Sequence, residues 1–257
     1  MIRKYFFRFL GTKNYLKVLH TGFHFLYSIN ALKKNPEYTY HYFDKNIIQK
    51  GDYILDIGAN MGYYTKLFAK WTGNAGHVYS VEPVTIFAET LRWGTQKFKN
   101  ITLYNYALGE EEKEVTLSTP GNFGYLRTGL THVVDEKNGN TYEFTFKAQM
   151  KRGSRLFADL PKINFIKCDI EGYEDIVLPE MVDLLQKHKP VIQLETWGEH
   201  KPKVEGFLSG IGYKKYDIEN DILKPVDELK SAAAGDLYFI HPLNNEVIER
   251  LKRMNKA

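Results

Sequence analysis

The stretch that decides the fold is Tyr53-Ile54-Leu55-Asp56-Ile57-Gly58-Ala59-Asn60-Met61-Gly62-Tyr63-Tyr64. An apolar, β-type segment leads into an acidic residue, a glycine turn and an apolar pattern that suits a helix over 61–71. Gly58 and Gly62 can adopt backbone angles that are closed to other residues. The free N–H groups at the start of the helix would point at whatever the turn holds. The stretch therefore predicts a ligand site at the end of the first strand of an α/β sheet.

The residues of this turn disfavour one ligand class and favour another. A dinucleotide-binding turn has the spacing G-x-G-x-x-G, which is absent here, and Asp56 on the strand would repel a pyrophosphate. An acid at that position suits a ligand with a cationic sulfonium and an α-ammonium group, as in S-adenosylmethionine. The competing interpretation is an ordinary strand–turn–helix joint that binds nothing.

A second acid supports a nucleoside-type ligand. The predicted strand over 77–81 runs into Glu82-Pro83, about 20 residues after Gly62, which is the spacing of the acid that holds ribose hydroxyls in nucleotide-binding α/β folds. Pro83 restricts the turn and allows a helix over 85–98. We expect Glu82 to hold a ribose.

The composition is that of a globular protein with one main domain. The chain has 257 residues, of which 43% are hydrophobic and 26% charged. Its one cysteine, Cys168, excludes an intramolecular disulfide and any cysteine-cluster metal site, so we expect a reducing, cytoplasmic location. Cys168 lies in an apolar strand and is expected to be a packed thiol rather than a nucleophile.

The net charge of +4 is unevenly distributed. Seven bases and no acid precede Glu37, and the remaining 28 bases and 31 acids sum to −3. Aromatic residues are interleaved with these bases, but no uncharged run reaches the roughly 20 residues of a transmembrane helix. Two interpretations stay open for residues 1–34: peripheral contact with an anionic membrane, or a cap over the sheet or a dimer element. The body of the chain carries no pattern that predicts nucleic-acid binding.

The order of the remaining patterns predicts a mainly parallel, doubly wound sheet with an antiparallel finish. Further strands are expected at 101–108, 163–170, 190–196, 213–216 and 236–241, with a helix over 174–187. Alternating apolar residues over about 114–150, around Gly121, Gly124, Gly129 and Gly139, predict a β-hairpin insertion with a mobile loop. We expect a basic and aromatic helical segment over 1–40, a ligand-binding domain over 41–245 and a helical tail over 246–257.

Five motifs in this order resemble the FkbM-type S-adenosylmethionine-dependent methyltransferases. They are LDIGANMGYYT, VEP, NYALG, FIKCDIEGYE and VIQLE, and the resemblance covers roughly residues 45–241. It implies a Rossmann-like class I methyltransferase fold, with a seven-stranded sheet whose last strand is antiparallel. It also implies that Glu82 holds the ribose and that Asn105 and Ala107 border the adenine. The residues that the resemblance places at the methionine end are Asp56, Gly58, Asn60, Gly62 and Tyr64.

The catalytic candidates follow from the chemistry of methyl transfer. An in-line displacement requires a precisely placed acceptor atom, and a hydroxyl acceptor gains from a base that removes its proton. Asp169 and Glu171 follow the fourth parallel strand and Glu195 ends the fifth, so all three should face the cleft. Lys167 has the strand parity of Asp169, and it either pairs with a carboxylate or extends towards solvent.

Two roles remain open for these acids. They are either a general base with its hydrogen-bonding partners or the oxygen ligands of a Mg²⁺-type ion, and we favour the metal-free interpretation. His200, close after Glu195, and His132, in the insertion, are additional candidates for the base. An isolated histidine is more often structural than catalytic.

The leading hypothesis is a cytoplasmic O-methyltransferase that modifies a hydroxyl of a polysaccharide, a glycan or a lipid-linked sugar. The same fold would serve an N-methyltransferase or an O-methyltransferase of polyketides and small molecules. A non-catalytic nucleotide-binding scaffold is the alternative of another class, although the glycine turn, Glu82 and the strand-end acids are all intact. An NAD-dependent enzyme is disfavoured by Asp56 and the missing third glycine.

Overall fold

Helices and strands alternate along the chain and form two sheets. The computed structural model describes residues 2–119, 125–126, 128–134, 142, 144–226 and 235–257. The helices are α1 (Ile2–Ser28), α2 (Thr39–Ile47), α3 (Tyr63–Thr72), α4 (Thr85–Thr95), α5 (Gly153–Leu156), α6 (Glu174–Glu180), α7 (Val182–His188), α8 (His200–Gly210) and α9 (Asn245–Arg253). The strands are β1 (Tyr53–Ile57), β2 (His77–Val81), β3 (Ile101–Tyr104), β4 (Ala107–Leu108), β5 (Glu114–Thr119), β6 (His132–Val133), β7 (Phe144–Lys151), β8 (Phe165–Cys168), β9 (Val191–Thr196), β10 (Lys214–Glu219), β11 (Ile222–Pro225) and β12 (Gly235–Ile240).

The main sheet has the strand order β11-β10-β12-β9-β8-β1-β2-β3. The five strands from β9 to β3 are parallel, whereas β12 is antiparallel to β9 and to β10. The described sheet therefore has eight strands, one more than the seven that the resemblance implied. The additional strand, β11, pairs with β10 through a turn in which Asn220 and Asp221 have positive φ values of 54° and 62°. A two-residue turn of that kind closes a tight hairpin.

The predicted insertion forms a second sheet. Strand β7 pairs antiparallel with β5 and parallel with β4, and β5 also pairs with β6. The strand predicted over 101–108 is divided between the two sheets, because β3 pairs with β2 whereas β4 joins β7. Gly121, Gly124 and Gly139, around which a mobile loop was predicted, lie outside the described residues.

The helix predicted over 174–187 is two helices that meet at Met181. Pro179 lies in the last turn of α6, and a proline there removes one helical N–H donor. Met181 has φ −96° and ψ 16°, outside the helical range, and its side chain is fully buried. The break turns α7 so that it, too, packs its apolar residues into the core.

A polar row crosses the buried middle of the main sheet. Strand register aligns five residues in neighbouring strands: Ser80, Asp56, Lys167, Gln193 and Tyr238. All are at most 3% exposed. Hydrophobic residues flank this row within each strand, and the opposite face of the sheet packs on α6, α7 and α8. A buried row of this composition is tolerated only where its polar groups are paired.

Helix α1 packs on α3 and α4 rather than directly on the sheet. Gly11, with φ 68° and ψ 162°, bends the helix near its start. Beyond the bend, one face buries Tyr15, Leu16 and His20 against residues such as Met61 and Phe87. The inner face of α1 is therefore a cap. Among the described helices, none is both long and apolar enough to cross a bilayer.

The C-terminal helix α9 packs on α2. Its Val247 and Leu251 are buried in the same hydrophobic cluster as Phe43 and Ile47 of α2. The Arg250 guanidinium donates to the backbone carbonyl of Ile47. The last helix thus completes one face of the main sheet.

Gly58 marks the point where the ends of β1 and β8 approach most closely. Its φ is +81°, and a Cβ built on it would lie 1.8 Å from the carbonyl oxygen of Asp169. Because that contact is with backbone, rotation of a side chain cannot relieve it. Only glycine permits both the turn and the approach.

We expect Gly58→Ala to lower the free energy of unfolding by about 3 kcal/mol or more, since it combines an unfavourable φ with overlap against Asp169. Gly51 is the matched control, because its φ is +87° but a Cβ there would meet nothing closer than 4.0 Å. Gly51→Ala should cost about 1–2 kcal/mol. Urea denaturation of both variants tests this, and equal losses would show that the approach to Asp169 is unimportant.

Candidate functional site

Two adjoining cavities open at the carboxyl edge of the parallel strands. The narrow cavity is mainly apolar and is lined by residues that include Val81, Glu82, Phe87, Tyr106, Ala107, Leu108 and Val133. The wide cavity, of about 620 Å³, is lined by residues that include Tyr40, His41, Tyr64, Lys167, Glu195, Asp217 and Asp236. Five residues line both cavities: Gly58, Asn60, Thr128, Gly129 and Asp169. The sequence therefore places its glycine turn between two neighbouring binding spaces.

The turn after β1 is held by hydrogen bonds from both sides. The backbone N–H groups of Gly58 and Ala59 both donate to the carbonyl of Val81, at 3.0 and 2.9 Å. Asn60 has a positive φ of 51°, and its Nδ2 donates to the carbonyl of Thr128 at 2.9 Å. The turn is thereby fixed to β2 and to the insertion before any ligand binds.

Glu82 is buried at the end of β2 and faces the narrow cavity. Its carboxylate accepts hydrogen bonds from the backbone N–H groups of Asn60 and Val84, both at 2.8 Å. Burial raises the pKa of Glu82 to about 8, although those two hydrogen bonds oppose the shift. A carboxylate has about four lone-pair sites, so Glu82 keeps acceptor capacity for hydroxyl groups of a ligand.

Ala107 lines the narrow cavity as the resemblance implied, but Asn105 does not line either cavity. The Asn105 side chain instead donates to the carbonyls of Glu82 and Pro83, at 2.8 and 3.0 Å. It therefore fixes the turn that carries Glu82. Tyr106, which lies between the two in sequence, lines the narrow cavity together with Ala107.

Asp56 and Gly62 also lie away from the cavity walls. Asp56 sits within β1 on the face covered by α3, where its Oδ2 accepts from the Thr65 hydroxyl at 2.5 Å. Burial raises the pKa of Asp56 to about 6, and the positive charge of Lys167 opposes that shift. Gly62 precedes α3 and packs against Leu91. Asp56 lines neither cavity, since its carboxylate is directed to the Thr65 hydroxyl of α3, and its contact with a ligand stays a prediction.

Lys167 and Asp169 form a buried ion pair at the floor of the wide cavity. Lys167 is 3% exposed, and its Nζ donates to Asp169 Oδ2 at 2.7 Å. The ammonium also lies 4.6 Å from the centre of the Tyr64 ring. Burial opposes its charge, but the carboxylates of Asp169, Asp236, Asp56 and Glu195 raise the pKa of Lys167 above its usual value. Lys167 is thus paired and does not extend to solvent.

Glu195 lies near the end of β9, is exposed, and lines the wide cavity. The negative charge of Asp169 raises the pKa of Glu195 most, followed by partial burial of its carboxyl, while Lys167 lowers it. Both residues line the wide cavity. A carboxyl group near a second negative charge holds its proton more tightly than an isolated one.

The other predicted catalytic residues lie apart from this pair. Glu171, with a positive φ of 58°, lines only the narrow cavity and accepts from Trp197 Nε1 at 3.2 Å. Burial and the charge of Asp169 raise the pKa of Glu171 to about 7. His200 lines neither cavity, and its Nδ1 lies 3.1 Å from Asp175 Oδ1. His132 likewise lies outside both, next to the carbonyl of Leu130.

Several residues of the wide cavity had no sequence signal of their own. Asp236 lies beside Glu195 because β12 is antiparallel, so that its first residues reach the carboxyl edge of β9. Its Oδ2 accepts from Gln193 at 2.6 Å, and its buried Oδ1 has no hydrogen-bond partner in the described part of the chain. The Gly235-Asp236 start of the predicted antiparallel strand was the available signal.

Helix α2 contributes an aromatic wall to the same cavity. The Tyr40 hydroxyl lies between the Asp217 carboxylate, at 2.8 Å, and the backbone carbonyl of Asp236. His41 stacks on Tyr64 with ring centres 3.8 Å apart. Burial lowers the pKa of His41 to about 3, so the imidazole is neutral at physiological pH. No pattern in the sequence predicted that α2 would reach the site.

Comparison with known proteins agrees with the motif set. A sequence model of the methyltransferase FkbM domain matches residues 56–252. A methyltransferase FkbM from Methylobacillus flagellatus KT is a similar solved structure, with 18% identity over 75% of this chain and a TM-score of 0.49. A S-adenosylmethionine-dependent O-methyltransferase from Thermotoga maritima has 13% identity over 83% of this chain and 69% of its own, with a TM-score of 0.44.

The match to the Methylobacillus structure is partial, since this chain spans 43% of that protein's length. A putative rRNA methylase from Clostridium thermocellum has 13% identity, covers 80% of this chain and 94% of its own, and gives a TM-score of 0.46. A search of curated proteins finds no match.

The residues at the two cavities fit S-adenosylmethionine. The narrow cavity combines mainly apolar walls with the carboxylates of Glu82, Asp169 and Glu171, and Glu82 has acceptor capacity for the ribose of an adenosine. The wide cavity brings Asp169, Glu195 and Asp236 together, and the unpartnered Oδ1 of Asp236 is a free acceptor for a cationic group. Within the described residues, no group of three or more His, Cys, Asp or Glu side chains is arranged to hold a metal ion.

The raised pKa of Glu82 predicts a pH-dependent affinity for S-adenosylhomocysteine. Ribose hydroxyls donate to the ionised carboxylate, so affinity should fall by up to about tenfold per unit as pH falls below about 8. The free energy of unfolding of the ligand-free protein should instead decrease as pH rises. Buried Glu82 is most favourable when neutral, and that contribution is lost as pH rises through its pKa of about 8. Isothermal titration and thermal melts from about pH 6.5 to 8.5 measure both effects.

Glu82→Gln should weaken binding and flatten its pH dependence. Glu174→Gln is the matched control, since Glu174 is also a buried glutamate that accepts from two backbone N–H groups, those of Ile170 and Gly172. Glu174 lines neither cavity, so this variant should lose stability but keep the pH dependence of affinity. Identical behaviour of the two variants would remove Glu82 from the ligand site.

Proposed function

Because this chain belongs to the FkbM family of S-adenosylmethionine-dependent methyltransferases, we propose that it methylates a hydroxyl group of a saccharide. The family model spans 197 of the 257 residues and confirms the resemblance that the motifs indicated. What we propose beyond the family is the class of acceptor and the atom that is methylated. The observation that carries it is that Glu195 and Asp169, the latter paired with Lys167, line one wide, hydroxyl-compatible cavity.

The cofactor would lie across both cavities, with its adenosine in the narrow one. Glu82 would hold the ribose, Ala107 and Tyr106 would border the base, and Gly58 and Asn60 would border the methionine portion. When bound, the cofactor supplies an electrophilic methyl group on a positively charged sulfur. The surrounding carboxylates favour a cation at that position.

Glu195 is the best-placed general base for a hydroxyl acceptor. It faces the wide cavity, and its raised pKa makes its ionised form a stronger base than an isolated glutamate. Asp169 lines the same cavity, where its negative charge raises the pKa of Glu195, and it is itself paired with the ammonium of Lys167 at 2.7 Å.

The walls of the wide cavity suit a polyhydroxylated acceptor. Carboxylates at Asp217, Asp236 and Glu37 can accept hydrogen bonds from hydroxyl groups, and the rings of Tyr40 and Tyr63 offer apolar faces. A volume of about 620 Å³ is ample for a sugar unit beside the methionine portion of the cofactor. These features support a saccharide over a flat aromatic acceptor.

An amine acceptor is the second candidate, and the charge of the same cavity favours it. Acidic residues outnumber basic ones along the wall, where Lys167 is already paired. A cationic amine would be attracted there, and it would have to lose a proton before it could attack a methyl group. The acids could serve either acceptor, so the distinction is experimental.

We expect Asp169→Asn and Glu195→Gln to lower kcat by about 10²- to 10⁴-fold, the usual contribution of a general base. Affinity for S-adenosylhomocysteine should change less than kcat for Glu195→Gln, because Glu195 does not line the narrow cavity that would hold the adenosine. Methyl transfer from labelled S-adenosylmethionine, measured with titration of each variant, tests both statements.

His200→Gln is the matched control for this experiment, since His200 was a sequence-predicted base but lies outside both cavities. It should retain most of the activity. A full loss in His200→Gln with no loss in Glu195→Gln would refute the assignment. Activity that disappears with EDTA and returns with Mg²⁺ would instead show that the acids serve a metal ion.

The acceptor class can be separated with a matched panel. Oligosaccharides and their amino-sugar counterparts offer a hydroxyl or an amine on the same ring, and mass spectrometry of the product locates the methyl group. We expect the label on oxygen. Methylation confined to nitrogen would favour the amine candidate, and cofactor binding with no transfer to either class would favour a non-catalytic scaffold.

A further inference from the structure

The outer face of α1 presents apolar side chains to solvent. Phe25 is 62% exposed, and it borders one surface with Val18 and with Trp93 of α4. Phe9, before the bend at Gly11, is 88% exposed. The other large apolar side chains exposed on or just after α1 are Tyr5, Phe6, Leu26 and Ile29. Isolated exposed apolar residues are ordinary, but a concentration on one helix marks an interaction surface.

A basic groove lies beside this face, between α1, α2, α3 and α4. Four lysines line it: Lys45, Lys66, Lys70 and Lys97. Aromatic rings of Phe25, Trp71, Trp93 and Phe98 form much of the rest, and no acidic residue lines it. The groove thus joins cationic ends to apolar walls.

The charges of the groove are not neutralised within the described residues. None of its four lysines forms an ion pair within 4.0 Å of a described carboxylate, whereas Lys13, further along α1, pairs with Glu89 at 3.3 Å. Burial lowers the pKa of Lys66, and the positive charge of Lys97 lowers it further. A groove whose lysines repel one another is stabilised by a bound anion.

We propose that this surface docks on an anionic lipid bilayer, with lipid phosphates in the lysine groove and the exposed side chains of α1 in the interfacial layer. Lysines near an anionic leaflet each strengthen binding about fivefold at low ionic strength. Apolar side chains that enter the interface add to this binding without spanning the membrane. The docking does not depend on which acceptor is methylated.

Other occupants fit these observations less well. A second copy of the chain on this surface would bring the unpaired lysines of two grooves together. A single-stranded nucleic acid would match the lysines and rings, but it offers nothing to cover aliphatic side chains such as Val18 and Ile29. An anionic bilayer matches both the charge and the aliphatic surface.

Helix α2 connects the groove to the wide cavity. Tyr40 and His41 line the wide cavity, and Tyr42 and Lys45 line the groove. The two sites are therefore separated by about one helix width, roughly 10 Å. A docked protein would hold its acceptor cavity close to the membrane surface.

Co-sedimentation tests the proposal with phosphatidylcholine vesicles that contain or lack phosphatidylglycerol. The full chain should sediment only with the anionic vesicles, at low salt, and should be released at high salt. The triple variant Lys66→Gln, Lys70→Gln and Lys97→Gln should bind on the order of a hundredfold more weakly. Point variants are preferable to removal of α1, because its inner face is part of the core.

The matched control removes three exposed lysines elsewhere: Lys50→Gln, Lys187→Gln and Lys214→Gln. It changes the net charge equally and should retain vesicle binding. Val18→Ser with Phe25→Ser should weaken binding at unchanged charge, and thermal melts establish that each variant is folded. Brominated lipids should quench the tryptophan emission of the bound protein, since Trp71 and Trp93 border the groove.

Three results would overturn the proposal. The first is that the full chain fails to sediment with anionic vesicles at low salt. The second is that the groove variant binds as well as its control. The third is that the apolar variant is unaffected while polyuridylate competes fully. The last result would identify a nucleic-acid site.

Discussion

One buried charge organises this protein: the ammonium of Lys167 in the middle of the main sheet. A cation that is 3% exposed costs several kcal/mol unless carboxylates compensate it. Asp169 does so directly at 2.7 Å, and Asp56, Asp236 and Glu195 lie near enough to favour the charged form. Three of these four acids line the wide cavity, so burial of one lysine concentrates negative charge where the site opens.

The glycine turn joins the two halves of the site through the backbone. Gly58 lies against the carbonyl of Asp169, and the N–H of Asn60 donates to Glu82. Glu82, on the nucleoside side, and Asp169, in the acid cluster, are therefore both fixed relative to the same loop. Such preorganisation favours catalysis, because the rate of methyl transfer depends on the placement of the two reacting atoms.

The two faces of helix α1 differ in character. Tyr15, Leu16 and His20 close the core over α3 and α4, whereas Phe25 is exposed and lines a basic groove. The two interpretations of the N-terminal segment, a cap and a membrane contact, are compatible because they concern opposite faces. The cap is a structural finding and the membrane contact is our proposal.

The sequence by itself determined the fold class, the cofactor-type turn and most of the strand-end acids. Those features depend on local rules: a strand, a glycine turn and a helix follow each other within a few residues, and the ends of parallel strands meet at one edge. Gly58, Asn60, Glu82, Ala107, Asp169 and Glu195 were all predicted and all line the two cavities.

The tertiary structure decided which side chains face the cavities and which hold them in place. Asp56 and Asn105 line neither cavity because their side chains bond to Thr65 and to the carbonyl of Glu82, and His200 lies with Asp175 outside the cluster. Tyr40 meets Asp217 and Asp236 at the site although 177 and 196 residues of chain separate them. Tyr40 and His41 come from α2, a helix that carries no motif. Long-range pairing of that kind depends on register and packing, which no local pattern encodes.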